Sequence, residues 1–190
     1  MVEEFFYAAV QLKQYDWAEV FLKIIRHFHP QSVKSMRLLG VFYESQLSIE
    51  KALNIYHELM EQNPSDSLTM KRVVALYRDS DLMTEAVQTL NKYLEINQMD
   101  QEAWLELADL YLSRQQFAKA QYCYEELLVL QPHNYLINMK YAEILYSLGG
   151  IENLELARKY YSHALVLSED NMGLRALLGL YQTCKALEGL

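Results

Sequence analysis

Three prolines set the frame for this chain. Pro30 and Pro64 lie 34 residues apart, and Pro132 lies twice that distance further on, with Gln98 at the skipped place. Other positions keep the same count. A small residue falls on Gly40, Ala108 and Ala142, with the bulkier Val74 at the same register. An aromatic three residues later falls on Tyr43, Tyr77 and Tyr111. An alanine recurs at Ala18, Ala52, Ala86 and Ala120, and a bulky residue four further on at Leu22, Tyr56, Leu90 and Tyr124. A period of this size builds supersecondary units that bury their apolar faces only by stacking on one another.

The residue types suit pairs of helices. "MRLLGVFYES" and "AWLELADLYL" read as first helices; "IEKALNIYHELM" and "FAKAQYCYEELLVL" read as second helices, with apolar residues at i, i+3, i+4 and i+7. Two antiparallel helices approach closely where one side chain is small, and large neighbours fill the grooves beside it. Turn signals such as "NPSDS" and "QPHN" at the same period argue against one long coiled coil. The pattern resembles the tetratricopeptide repeat. It implies an all-α, right-handed solenoid of antiparallel helix pairs, one array over 1–190. The repeats are expected at about 1–32, 33–66, 67–100, 101–134 and 135–170, with a partial one at 171–190.

The count slips once. The next second-helix alanine should be residue 154 but is Ala157, so three residues are added around "GGIEN". Gly149 and Gly150 suit a helix end and a turn with positive φ. Asn153 is expected to cap the following helix, which places the insertion in the turn.

Composition narrows the function. Only 6 glycines and 3 prolines are present, too few for the turns of a many-stranded sheet. The formal net charge of −8 leaves no basic footprint for nucleic acid. No apolar run reaches the length of a bilayer span, and "MVEEFFYAAVQL" has no signal-peptide pattern. Two cysteines, Cys123 and Cys184, make no disulfide framework and fit a reducing compartment.

Nothing in the sequence assembles a reaction centre or a cofactor or metal site, and the chain reads as non-catalytic. His27 and His29 point apart on a helix, and His57, His133 and His163 fall in different repeats without a cysteine pair. Gly149-Gly150 lacks the Lys-Ser/Thr of a phosphate loop. Cys123 reads as a packed thiol and the tyrosines as core. The surface expected to bind partners is the one lined by first helices. Its charged positions are Lys34, Arg37, Lys71, Arg72 and Arg78 early, then Glu102, Glu106, Asp109, Lys140 and Glu143. They would form a groove basic at one end and acidic at the other, able to orient an extended peptide. Ordinary solvated helix faces are the alternative.

"GGIENLELARKYY", "DQEAWLELADLY", "YEELLVLQPHN" and "NMGLRALLGLYQT" are similar to the family of second subunits of the endoplasmic reticulum membrane protein complex. The missing proline at Gln98 and the slip at 149–157 belong to that likeness. The resemblance implies a scaffold subunit, cytoplasmic and peripheral to the endoplasmic reticulum membrane. It would bind cytosolic parts of other subunits and support insertion of transmembrane segments. The rival is an adaptor or co-chaperone that binds peptides in its groove. The carboxylate-clamp positions of such adaptors read Leu38, Arg72, Glu106 and Lys140 here; no Asn is among them, and Glu106 would repel the ligand. Family members carry further residues on both sides. Apolar area is therefore expected at one or both ends, covered by other subunits or, in isolation, by self-association through terminal repeats. The alternative is that Phe5 and Phe6 fold inward against Ala18 and Leu22.

Overall fold

The structure, a computed structural model, describes residues 1–30, 32–168 and 173–189. These form eleven α-helices in two compact units, Met1–Ile96 and Asn97–Leu190. The first unit holds α1 (Val2–Gln11), α2 (Tyr15–Phe28), α3 (Val33–Ser45), α4 (Ile49–Gln62), α5 (Ser67–Asp79) and α6 (Met83–Ile96). The second holds α7 (Gln101–Ser113), α8 (Phe117–Leu130), α9 (Tyr135–Leu148), α10 (Ile151–Leu167) and α11 (Leu174–Glu188). Within each unit consecutive helices pair antiparallel, and α11 packs on α10.

The period governs helix ends as well as cores. Lys13, Leu47, Asp81 and Gln115, each 34 residues from the last, sit in the left-handed region at φ 57–59°. Each lies in the turn from an odd to an even helix. In each turn the next amide reaches back five residues, as Ser48 N to Tyr43 O at 3.0 Å and Gln116 N to Tyr111 O at 2.9 Å. This hydrogen bond closes the orphan carbonyls of the helix end. A side chain costs roughly 1 kcal/mol in that conformation, and glycine avoids it. Leu47 is exposed, so Leu47→Gly is expected to raise the unfolding free energy by about 0.5–1 kcal/mol in a urea titration. An unchanged or lowered midpoint would refute the strain argument.

Helices α5, α7 and α9 begin on side-chain caps at the same period, whereas α1, α3 and α11 have none. Asp66 accepts from Thr69 N, Asp100 from Ala103 N, and Asn134 from Leu136 N and Ile137 N. The turn before the helix is also tied: Trp104 Nε1 donates to Gln98 O at 2.8 Å, and Asn138 Nδ2 donates to Pro132 O at 2.9 Å. These two donors are 34 residues apart, as are their acceptors. The same carbonyl is thus held whether the residue is Gln98 or Pro132.

Gly149 and Gly150 adopt φ 71° and 85°, as expected of the slip. The insertion itself is not in the turn. Even helices start at Tyr15, Ile49, Met83, Phe117 and Ile151, in unbroken register, but α10 has 17 residues where α8 has 14. Asn153 is thus inside the helix, not its cap, and its Nδ2 donates to Gly149 O at 2.8 Å. Buried Leu154 prolongs the apolar stripe toward the N-terminus, so the extra residues continue the helix instead of lengthening a loop.

The cores hold the recurrent residues. Ala18, Ala52, Ala86, Ala108, Ala120, Ala142 and Ala157 are all fully buried. Bulk is complementary across each pair: Phe6 with Leu22, Gly40 with Tyr56, Val74 with Leu90, and Ala108 with Tyr124. Where the odd helix carries a large side chain the even helix carries a smaller one, which keeps interior density constant.

Candidate functional site

Odd helices carry all ten charged positions expected to bind partners, and the structure puts them to different uses. In the first unit Lys34 and Arg37 lie on α3, and Lys71, Arg72 and Arg78 on α5. Arg37 Nη2 donates to both carboxylate oxygens of Asp66, at 2.9 and 2.7 Å, while its Nε donates to Thr69 Oγ1 at 3.3 Å. The Asp66 side chain is 7% exposed and that of Arg37 19%. Burial alone would raise the Asp66 pKa. The Thr69 hydroxyl and the Arg37 guanidinium outweigh it and hold the carboxyl below its ordinary value.

Arg72 donates to Glu44 Oε2 at 3.0 Å, and the other oxygen of Glu44 accepts from the buried Tyr56 hydroxyl. Burial, then Glu44, push the Tyr56 pKa far upward, so the phenol stays a donor at every physiological pH. These contacts tie α3 to α4 and α5. Lys34 reaches Glu3 on α1 at 2.8 Å. Lys71 sits over the Tyr93 ring at 5.5 Å, and Arg78 lies 3.9 Å from Asp79.

In the second unit Glu102, Glu106 and Asp109 lie on α7, and Lys140 and Glu143 on α9. Glu102 and Asp109 are exposed and Glu106 is half-buried. Glu143 collects two cations, Lys140 at 3.2 Å and Arg175 of α11 at 2.6 and 3.0 Å. Burial first, then Asp109 and Glu143, push the Tyr124 hydroxyl up to about 12. A cleft of about 390 Å³ opens beside Glu143 and Arg175, with Tyr161, Leu178 and Gln182 in its walls.

Sequence reasoning missed Glu44, Asp66 and Arg175. Asp66 had a signal, the Asp-x-x-Thr of a capping turn. Glu44 and Arg175 lie 28 and 32 residues from their partners and had none. Cys123 is a packed thiol as expected, fully buried, with its pKa pushed up to about 12 by that burial. Tyr56, Tyr93, Tyr111, Tyr124, Tyr141 and Tyr161 belong to the core, whereas Tyr122 and Tyr181 are exposed.

The terminal helices expose apolar side chains. Phe6 is buried with Ala18 and Leu22, but Phe5 stays outside, stacked on Phe21, which also faces Trp17. Of the two aromatics only Phe6 folds inward, and Phe5 leaves apolar area exposed at this helix. On α11, Leu174, Leu177, Leu178 and Tyr181 form an exposed stripe. Among the described residues no helix is long and apolar enough to cross a membrane, and no three His, Cys, Asp or Glu side chains gather as a metal site.

Residues 17–150 match the sequence profile described as the EMC2 TPR-like repeat domain. The chain is 41% identical over 179 residues to ER membrane protein complex subunit 2-A of Xenopus laevis, covering 94% of this chain and 60% of that one. It is 40% identical over 150 residues to the subunit 2 of Dictyostelium discoideum, covering 79% and 47%. The chain thus spans about 60% of the length of its vertebrate relatives. Among solved structures, a MamA protein superposes with a TM-score of 0.64 over 87% of this chain and 89% of its own, at 16% identity. That likeness shows the fold alone. The profile, the identity and the helix-pair architecture agree, and the chain belongs to the ER membrane protein complex subunit 2 family.

Proposed function

We propose that this chain is a non-catalytic scaffold of a membrane complex at the endoplasmic reticulum. It holds cytosolic parts of partner subunits and so supports the insertion of transmembrane segments. The observation that carries this reading is the 41% identity to a complex subunit over 94% of the chain. On it the repeats form one array, because the 34-residue register runs from Lys13 through Gln115 to Gly149 without a skipped turn.

The ten charged positions take part in two ways. Arg37 and Arg72 are internal ties that fix the odd helices in place. Lys34, Lys71 and Arg78, then Glu102, Glu106, Asp109, Lys140 and Glu143, are the charges those helices present to a partner. The early charges are cations and four of the five late ones are carboxylates, which favours a bound segment with the opposite order of charge. The exposed faces around Trp17 and Tyr181 extend the docking surface, and isolated copies associate through them.

A pull-down tests the reading. The tagged chain is incubated with detergent-solubilised endoplasmic reticulum membranes, and bound proteins are identified by mass spectrometry. Subunits of the membrane complex are expected, and a second copy with a different tag is expected to co-purify when the membranes are omitted. Recovery of heat-shock chaperones without complex subunits would transfer the chain to the adaptor class. Failure of the second copy to co-purify would remove self-association only.

A further inference from the structure

A groove in the first unit, on the even-helix side, has no part in the surface described above. It lies between α4 and α6 and encloses about 530 Å³, within the size range of ligand pockets. Its apolar lining is Met60, Met70 and Ile96; its carboxylates are Glu61, Glu85 and Glu95, against one lysine, Lys92. Tyr77 and His57 join across one wall at 2.9 Å. Glu85 is close enough to this wall to raise the Tyr77 pKa, second to burial.

We infer that this groove binds a basic amphipathic segment of a partner protein, with one bulky aliphatic side chain seated on the methionines. Three features favour that occupant over an acidic or purely apolar one. Methionine side chains are unbranched and polarizable, so they adapt to the shape of an inserted aliphatic group. Ionised carboxylates only accept hydrogen bonds, and three of them around an apolar floor suit lysine or arginine heads on a short segment. The chain's net charge of −8 draws a cation-rich segment in and repels an acidic one. On α6, Glu85, Thr89, Lys92 and Ile96 recur at helical spacing, so one face of that helix runs the length of the groove. That length matches several residues of a bound segment. This inference does not depend on the scaffold reading, since the segment from α4 to α6 alone forms the groove.

The test uses the full chain with its methionine methyl groups labelled for NMR. The probe is a short fluorescein-labelled amphipathic peptide of leucine and lysine; a leucine–glutamate peptide is the control. The Met60 and Met70 methyl resonances are expected to move saturably with the lysine peptide, while those of Met36 and Met139 stay in place. Fluorescence anisotropy should show binding roughly tenfold weaker after Glu61→Lys with Glu85→Lys. The exposed pair Glu155→Lys and Glu188→Lys, in the other unit, should change it little. Shifts spread over all four methionines, no shift at all, or equal weakening by the two double reversals would each overturn the groove as a site. Equal binding of the glutamate peptide would overturn its preference for a basic partner.

Discussion

Gly40→Val is expected to destabilise the protein by about 3 kcal/mol. A Cβ at residue 40 would lie 2.3 Å from Tyr56 Cε1 and 2.7 Å from the Tyr56 oxygen, well inside contact distance. The ring cannot swing away cheaply, because it is fully buried and its hydroxyl donates to Glu44. Overpacking of this kind costs roughly 1–3 kcal/mol. Loss of the buried hydroxyl's partner adds about 1–3 kcal/mol. Against these stands a gain below about 1 kcal/mol from replacing glycine inside a helix. The balance is set by the ring. The Val74 and Leu90 pair shows how the fold solves the same problem at the next repeat. Adding Tyr56→Leu to Gly40→Val should therefore recover at least about 1 kcal/mol relative to the sum of the single mutants, read from urea unfolding monitored by circular dichroism. Strict additivity would show that the two side chains do not compete for one space.

Asp66→Ala is expected to cost about 3 kcal/mol, because it leaves the Arg37 guanidinium without its counter-charge on a side chain that is four-fifths buried. It also removes the cap of α5. The same carboxylate sets a pH dependence. Its folded pKa lies below the ordinary value of 3.8, so the folded state favours the ionised form. The stabilisation is complete above pH 3.8 and is lost as pH falls through the lower folded pKa. In urea titrations, wild type should therefore lose stability in that acid range more steeply than Asp66→Asn, whose side chain does not titrate. Parallel profiles for the two proteins would show that the ion pair contributes no linkage.

Glu143 offers a contrast with Asp66. Its partner Arg175 is largely exposed, so solvent screens the pair and its removal should matter far less. The two pairs look alike as distances, and burial separates them.

The helix pairs, their turns and their cores were legible in the sequence because each depends on residues close in the chain. A buried alanine face needs Ala or Gly wherever two helices touch, so Ala18, Ala52, Ala86 and Ala120 declared the repeat directly. The left-handed turns were only half legible. Gly149 and Gly150 announced themselves, whereas Lys13, Leu47, Asp81 and Gln115 carry no special residue and are held left-handed by the hydrogen bonds around them. The slip at 149–157 is visible in the sequence, but its place is not. Spacing counts added residues, but only the packing of Leu154 and the bond from Asn153 to Gly149 decides whether they lengthen a turn or a helix. Ten charged positions on odd helices followed from the register; their partners did not. Arg37 meets Asp66 and Arg72 meets Glu44 across about one repeat, where no local rule links one side chain to another. The sequence by itself determined the repeat, the small residues at each helix contact and the large ones beside them, since these follow from steric demands within a helix pair. Tertiary structure alone decided which charges are spent inside the protein, because an ion pair depends on distance and burial, and both arise only when repeats stack.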